Sequence, residues 1–380
     1  MSANGFAMGL TSTAYVPYLT SVGVTLPQVA LINAVFFLTI VLAELPTGML
    51  ADGRGRAWSV RIGAVVYTLS HLALAFANGL WSALVCEIMM GVAFAFLSGA
   101  ELAWVTDALS KQGESHRLRK VLATSAICMS MTCLCGGVIG AFIGAHSLRA
   151  AILASVIGGI GMIVVTCCFM NGDGEPVERV TEFDALHKSV TVLKQGNGLV
   201  WAMVVACSLG LVLSFNHYWA PFFAARTGHS GLSYVWLIII GGSMLGAYLA
   251  RRDGWTNASE STGVLIALMM TAVGMVFTGL FSGIVAPLML AFMHEVGRGL
   301  FRPLLDTYVQ RRVESSYRAT FGSLQSFVSR LGFSVILVCV WLLSSGHEEN
   351  LTLIAVTWFV NGTLMVLISA LLWIFRPKRS

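Results

Sequence analysis

A chain of 380 residues that is 57% hydrophobic and only 11% charged, with a mean hydropathy of +0.80, carries more apolar surface than a water-exposed fold can cover. This composition excludes a soluble globular protein and points to an integral membrane protein. The formal net charge of +5 is modest and calls for no nucleic-acid partner.

Apolar runs of roughly 20 residues, long enough as helices to cross about 30 Å of hydrocarbon, recur along the whole chain. Barrel strands would be half that length and alternating. The breaks between runs predict about twelve spans, at 4–22, 27–49, 59–77, 81–106, 119–143, 149–170, 198–223, 232–250, 262–281, 285–309, 319–344 and 351–375. Met1 to Gly9 holds no basic residue, so the first span lacks the n-region of a cleaved signal peptide. Between spans 2 and 3 lies Gly48-Met49-Leu50-Ala51-Asp52-Gly53-Arg54-Gly55-Arg56. Its acid, two arginines and three glycines cannot lie in hydrocarbon, so the stretch reads as a hairpin turn that fixes one membrane face.

Lysine and arginine set the orientation. With both termini cytoplasmic, the inside segments hold most of the 23 basic residues, while the outside loops hold only Arg149 and Arg226. The expected topology therefore has both termini in the cytoplasm; that the membrane is a bacterial inner (plasma) membrane is what the resemblance given below implies. All eight cysteines lie inside predicted spans, where a thiol is a small packing group; no metal-ligand spacing is present.

The longest polar stretch, near 171–196, divides the chain into an N-terminal bundle of six spans (1–170), a cytoplasmic linker (171–196) and a C-terminal bundle of six spans (197–380). The halves echo one another. Pro17 before Gly23 resembles Pro221 before Gly228, and Asp107 precedes Arg119 by twelve residues as Asp306 precedes Arg318. Such internal duplication is the mark of transporters built from repeated halves. Ionisable groups are costly in lipid and mark helices that line a cavity or a packed interior. Spans 3, 6, 9 and 12 have no charge in their interiors and read as lipid-facing, whereas Glu44, Glu87, Glu101, Asp107, Glu295, Arg298, Arg302 and Asp306 crowd spans 2, 4 and 10.

With these residues in view, the chain resembles the major facilitator superfamily of secondary transporters over its whole length. The family's loop between spans 2 and 3 reads Gly-x-x-x-Asp-x-x-Gly-Arg followed by a base, and Gly48, Asp52, Gly55 and Arg56 match it; Gly53 and Ala57 stand where the family usually has bases. Glu44-Leu45-Pro46-Thr47-Gly48, Ser98-Gly99-Ala100 and Arg318-Ala319-Thr320 are similar to a bacterial multidrug and metabolite exporter branch. The resemblance implies an all-α membrane fold of twelve transmembrane helices in two pseudo-symmetric six-helix bundles. It also implies that Asp52 faces the N-terminus of span 11, where free N–H groups favour an anion, and that Arg56 pairs with Asp107. Together these would latch the halves on the inside during alternating access.

Proton-driven transport needs an acid near the pathway, and burial in an apolar helix favours the neutral form of a carboxylate. Glu101, about 9 Å of helix rise from Asp107, is the first candidate, with Glu44 and Glu295 behind it. Glu87, near the outer end of span 4, reads as a satisfied packing or rim group. In span 10, Glu295, Arg298, Arg302 and Asp306 share one helical face. Arg298 or Arg302 could fork onto an anionic group of a solute, or the four could form a self-neutralising ladder. His294 beside Glu295 begins no zinc motif, because Arg298 occupies the second histidine's place.

Spans 1, 4, 7 and 10 line the central cavity in the family. That placement makes Tyr15 and Tyr18, together with Asn216, His217, Tyr218, Trp219, His294, Arg298 and Arg302, candidate cavity residues. Aromatic walls with few polar groups suit an amphipathic solute; an interfacial aromatic belt is the alternative for Tyr218 and Trp219. Gly136, Gly140 and Gly144 form a small-xxx-small ridge in span 5. Antiporters of the superfamily usually carry a Gly-Pro pair there, and Gly136-Gly137 has no proline, which keeps uptake open beside export.

No Gly-x-Ser-x-Gly, His-Glu-x-x-His or phosphate loop occurs, so no enzyme is expected. The sequence predicts a monomeric proton-coupled exporter of a small amphipathic solute in the lipid bilayer, without cofactor or metal. Symport or facilitated uptake of a small metabolite or organic anion is the alternative.

Overall fold

The computed structural model describes residues 2–114, 117–170, 198–250, 260–312, 318–347 and 350–377. The expected linker, 171–196, lies outside them. The described residues are helical throughout, with no strand among them.

The first helices are α1 (Ser2–Ser12), α2 (Tyr15–Ser21), α3 (Leu26–Arg54), α4 (Arg56–Leu74), α5 (Leu80–Lys111), α6 (Leu118–His146) and α7 (Leu148–Phe169). Expected span 1 is α1 and α2 together. It breaks at Thr13 and Ala14 because Pro17 has no N–H to give and its ring crowds the carbonyl one turn back. A capping box opens α3: the Thr25 hydroxyl accepts from Gln28 N at 3.3 Å, and the Gln28 side chain accepts from Thr25 N at 2.9 Å. These reciprocal bonds satisfy two otherwise orphan donors.

The second set comprises α8 (Leu199–Ser208), a 3-10 turn (Leu209–Val212), α9 (Leu213–Leu249), α10 (Glu260–Thr278), α11 (Val285–Arg312), α12 (Arg318–Ser344) and α13 (Leu351–Ile374). Expected spans 7 and 8 form one run, kinked at Gly228, whose φ is +69° and ψ is 171°. Gly23, its counterpart in the sequence echo, also takes a positive φ, of +87°. The two halves thus each place a positive-φ glycine shortly after a proline, six residues on in the first and seven in the second.

Eight helical stretches among the described residues are long and apolar enough to cross a membrane, the longest being the 51-residue run Leu199–Leu249. The Gly48–Arg56 stretch, expected to be a hairpin turn, is helical up to Arg54 and again from Arg56. Only Gly55, at φ +102°, breaks it. Hydrophobicity ends near residue 49 while the backbone ladder runs on into the polar zone, since helical hydrogen bonds need no apolar surroundings.

The described chain divides into two compact units: Met1–Glu178 with Phe223–Trp236, and Arg179–Phe222 with Leu237–Ser380. The 223–236 piece therefore groups with the first unit, where the expected division at the linker puts it in the second. The Gly228 kink lies within this piece, and Gly137 of α6 leaves room for the Trp236 ring, against which any Cβ at that glycine would collide.

In the first unit, Val60, Ala64 and Tyr67 of α4 pack with Ala93 and Leu97 of α5, Ala7 of α1 and Met162 of α7. Cβ atoms at Gly9, Gly136 and Gly140 would overlap backbone carbonyls across the α1–α6 contact, so glycine is what allows these backbones to touch. Arg61 closes one end of the unit, its Nη2 donating to the Met170 carbonyl at 2.6 Å, where orphan carbonyls and the helix dipole favour a cation.

In the second unit, Trp201, Leu265, Phe301, Tyr308 and Phe321 form the centre of the core. Trp201 Nε1 donates to the Leu372 carbonyl at 3.0 Å and Trp358 Nε1 to the Ser214 carbonyl at 3.1 Å, so each buried indole spends its single donor. The charge-free helices do not share one fate. α13 exposes an apolar face through Val356, Phe359, Val360, Leu364, Leu367 and Leu371, as a lipid-facing helix does, but most of α10 is buried. Lack of charge marks a helix that can face lipid; it does not say that it will.

Candidate functional site

Each unit carries a polar cluster inside its membrane-length helices. In the first unit the Tyr15 hydroxyl donates to Glu87 Oε1 at 2.6 Å, and Asn33 of α3 also reaches that hydroxyl. Glu87 is only 7% exposed. Tyr15, expected to line the cavity, is thus the partner that makes Glu87 a satisfied packing group, one of the two readings the sequence offered. Tyr18 is buried, and its hydroxyl donates to the Ala75 carbonyl at 2.8 Å. It ties α2 to the end of α4 and has no hydroxyl proton left for a solute.

Glu44 is half-buried and accepts a hydrogen bond from Ser98 Oγ at 3.2 Å. Glu101 is half-buried in α5. Of the motif residues, Gly48 lies within α3, Gly55 is the break, and Arg56 starts α4, half-buried. Arg54 lies over the Trp58 ring, 5.1 Å from its centroid. Asp52 and Asp107 have helical backbones, in α3 and α5 respectively; their side chains, and with them the expected latch, lie outside what the structure describes.

In the second unit Arg298 is the hub. Its Nη1 donates to Glu295 Oε1 at 2.7 Å and to Asn216 Oδ1 at 2.7 Å, joining α11 to α9. The side chain of Arg298 stays 32% exposed while that of Glu295 is 5% exposed. Arg302 pairs with Asp306 at 3.3 Å and remains 78% exposed. The span-10 stripe therefore forms the two ion pairs of the self-neutralising ladder, and Asn216 adds a cross-helix acceptor that spacing along one helix does not reveal.

The remaining cavity candidates are withdrawn into packing. His294 has no exposed surface; its Nδ1 lies 2.8 Å from the Thr271 carbonyl and its ring 4.1 Å from that of Phe215. His217, Tyr218 and Trp219 are buried as well, so Tyr218 and Trp219 do not form a lipid-facing aromatic belt. Tyr15, Asn216, Arg298 and Arg302 keep accessible surface. Among the described residues, no group of three or more His, Cys, Asp or Glu is placed to hold a metal ion.

Membrane-length helices in two units, each with a polar cluster among them, are the build of an integral membrane protein. The chain matches the Major Facilitator Superfamily family model over residues 1–337 and belongs to that superfamily. It is 22% identical over 392 residues to the uncharacterized MFS-type transporter YxaM of Bacillus subtilis, covering 98% of this chain and 93% of that protein. It is 20% identical over 366 residues to the quinolone resistance protein NorA of Staphylococcus aureus, covering 95% and 92%. Among solved structures it resembles the nucleoside transporter NupG, with a TM-score of 0.75, 12% identity and coverage of 99% and 98%. A POT family transporter in complex with a thioalcohol-conjugated peptide gives a TM-score of 0.71, 13% identity and coverage of 99% and 96%. The fold is that of the superfamily, and the chain is a secondary transporter rather than an enzyme.

Proposed function

We propose that this transporter exports a small amphipathic solute by alternating access, using the proton gradient and no cofactor, as a monomer with both termini cytoplasmic. The observation that carries this reading is the Asn216–Arg298–Glu295 cluster. A guanidinium at membrane depth whose charge is answered by a buried acid, and which still keeps a third of its surface, offers one polar handle to an otherwise apolar molecule. Likeness to a quinolone resistance protein supports outward movement. Asp52, Arg56 and Asp107, with Gly48 and Gly55 shaping the helix ends, would form the inside latch.

A second reading, uptake of a small organic anion, is favoured by Arg302. An exposed guanidinium within a span faces water rather than hydrocarbon and could fork onto a carboxylate. Counterflow in proteoliposomes separates the two. Export of amphipathic solutes predicts exchange of ethidium and none of benzoate; exchange of benzoate alone would replace the first reading with the second.

A further inference from the structure

Three polar side chains of the first unit meet at one level. Tyr15 stands six residues before the end of α2, Asn33 seven after the start of α3 and Glu87 seven after the start of α5. Each is therefore roughly 10 Å from the same end of the unit, away from Gly55. The Tyr15 hydroxyl donates to Glu87 at 2.6 Å. Among the described residues no lysine, arginine or histidine forms an ion pair with Glu87.

The other titratable groups on the packed helices are a thiol or are engaged elsewhere. Tyr18 donates to the Ala75 carbonyl. His71 Nδ1 lies 3.0 Å from the Tyr67 carbonyl, and the Tyr67 ring is against that of His71. Cys86 is a neighbouring buried thiol, and Glu44 lies further along α3 beside Ser98.

An ionised carboxylate at this depth, answered by one phenol and no cation, is costly, whereas the neutral acid fits: Oε1 accepts from Tyr15 and the acid keeps its own proton. The other acids differ. Glu295 is neutralised by Arg298, and Glu44 and Glu101 are only half-buried. The partner of Glu87 is also mounted on a joint. Tyr15 is the first residue of the seven-residue α2, directly after the break, where Thr13 Oγ1 is buried without a partner. Transporters place ion sites at discontinuous helices of this kind.

We propose that Glu87 is the residue that takes up and releases the coupling proton, with Tyr15 as the positioning residue that links its protonation to the angle between α1 and α2. The proposal rests on the proton-driven reading above. Water on one side protonates the carboxylate when the site opens there, and the proton returns to water on the other side; no other bond is made or broken.

The test is infrared difference spectroscopy of the purified full-length protein in lipid nanodiscs between acid and alkaline pH. It is paired with ethidium movement in inside-out vesicles. Wild type should show a protonated-carboxyl C=O band that titrates, Glu87→Gln should lose it, and Tyr15→Phe should shift it, because the band senses the phenol hydrogen bond. Glu87→Gln should also lose pH-driven ethidium accumulation while keeping ethidium counterflow, which shows that the variant is folded. A titrating band and pH-driven accumulation that both survive Glu87→Gln would overturn the assignment. Wild type that shows the band but moves no ethidium in response to a pH gradient would instead sink the export reading and leave Glu87 as a proton site.

Discussion

Arg298 shows how one side chain can hold two helices and a charge balance together. Removing it leaves the Glu295 carboxylate buried without a counter-ion, which costs about 3 kcal/mol. Arg298→Gln should therefore lower the thermal midpoint in detergent markedly, and the double change Glu295→Gln with Arg298→Gln should recover most of the loss. A double variant as unstable as the single would mean that packing, not charge, sets the cost. The pairing of Glu295 with Arg298 and of Arg302 with Asp306 was legible, because three- and four-residue spacing on one helix decides it. Asn216 as a partner was not, since that contact depends on the register of α9 against α11. Glu87, read as a satisfied packing or rim group, is the first of these, buried and hydrogen-bonded. Its partner Tyr15 was not legible, since that contact depends on how α2 meets α5.

The helices themselves were largely legible from the lengths of their apolar runs, and their ends were not. Gly48–Arg54 looked like a turn because it is polar, yet only Gly55 has the backbone to break the helix. The span-5 ridge was likewise half right. A Cβ at Gly140 would overlap the Leu10 backbone, whereas the nearest atoms at Gly144 stand at 3.7 Å, an ordinary contact. Gly140→Ala should thus destabilise the protein by about 1–3 kcal/mol through overpacking. Gly144→Ala should be neutral or slightly stabilising, because alanine is the better helix former. Thermal unfolding of the two variants in the same detergent checks this, and equal losses would refute the packing of α1 on α6 described above. The sequence could show that small residues recur every fourth position; it could not show where the facing helix ends.

For the molecule as a whole, duplication was readable from the Asp-to-Arg spacing of Asp107 with Arg119 and Asp306 with Arg318 and from a glycine that follows a proline in each half; both of those glycines take a positive φ. The resemblance to the superfamily was legible in Gly48, Asp52, Gly55 and Arg56, and the family match over residues 1–337 shows the membership. If the proposed latch operates in turnover, Asp52→Asn or Asp107→Asn should slow ethidium transport about tenfold or more, a loss of some 1.4 kcal/mol of transition-state stabilisation, with ethidium binding unchanged in a thermal-shift assay. Parental rates in either variant would remove the latch from the account. The most direct test of proton-driven export itself is ethidium uptake into inside-out vesicles carrying the wild-type chain. Uptake that appears only when the vesicle interior is acid, and collapses when a protonophore is added, is the predicted result; uptake indifferent to the imposed pH gradient would contradict it.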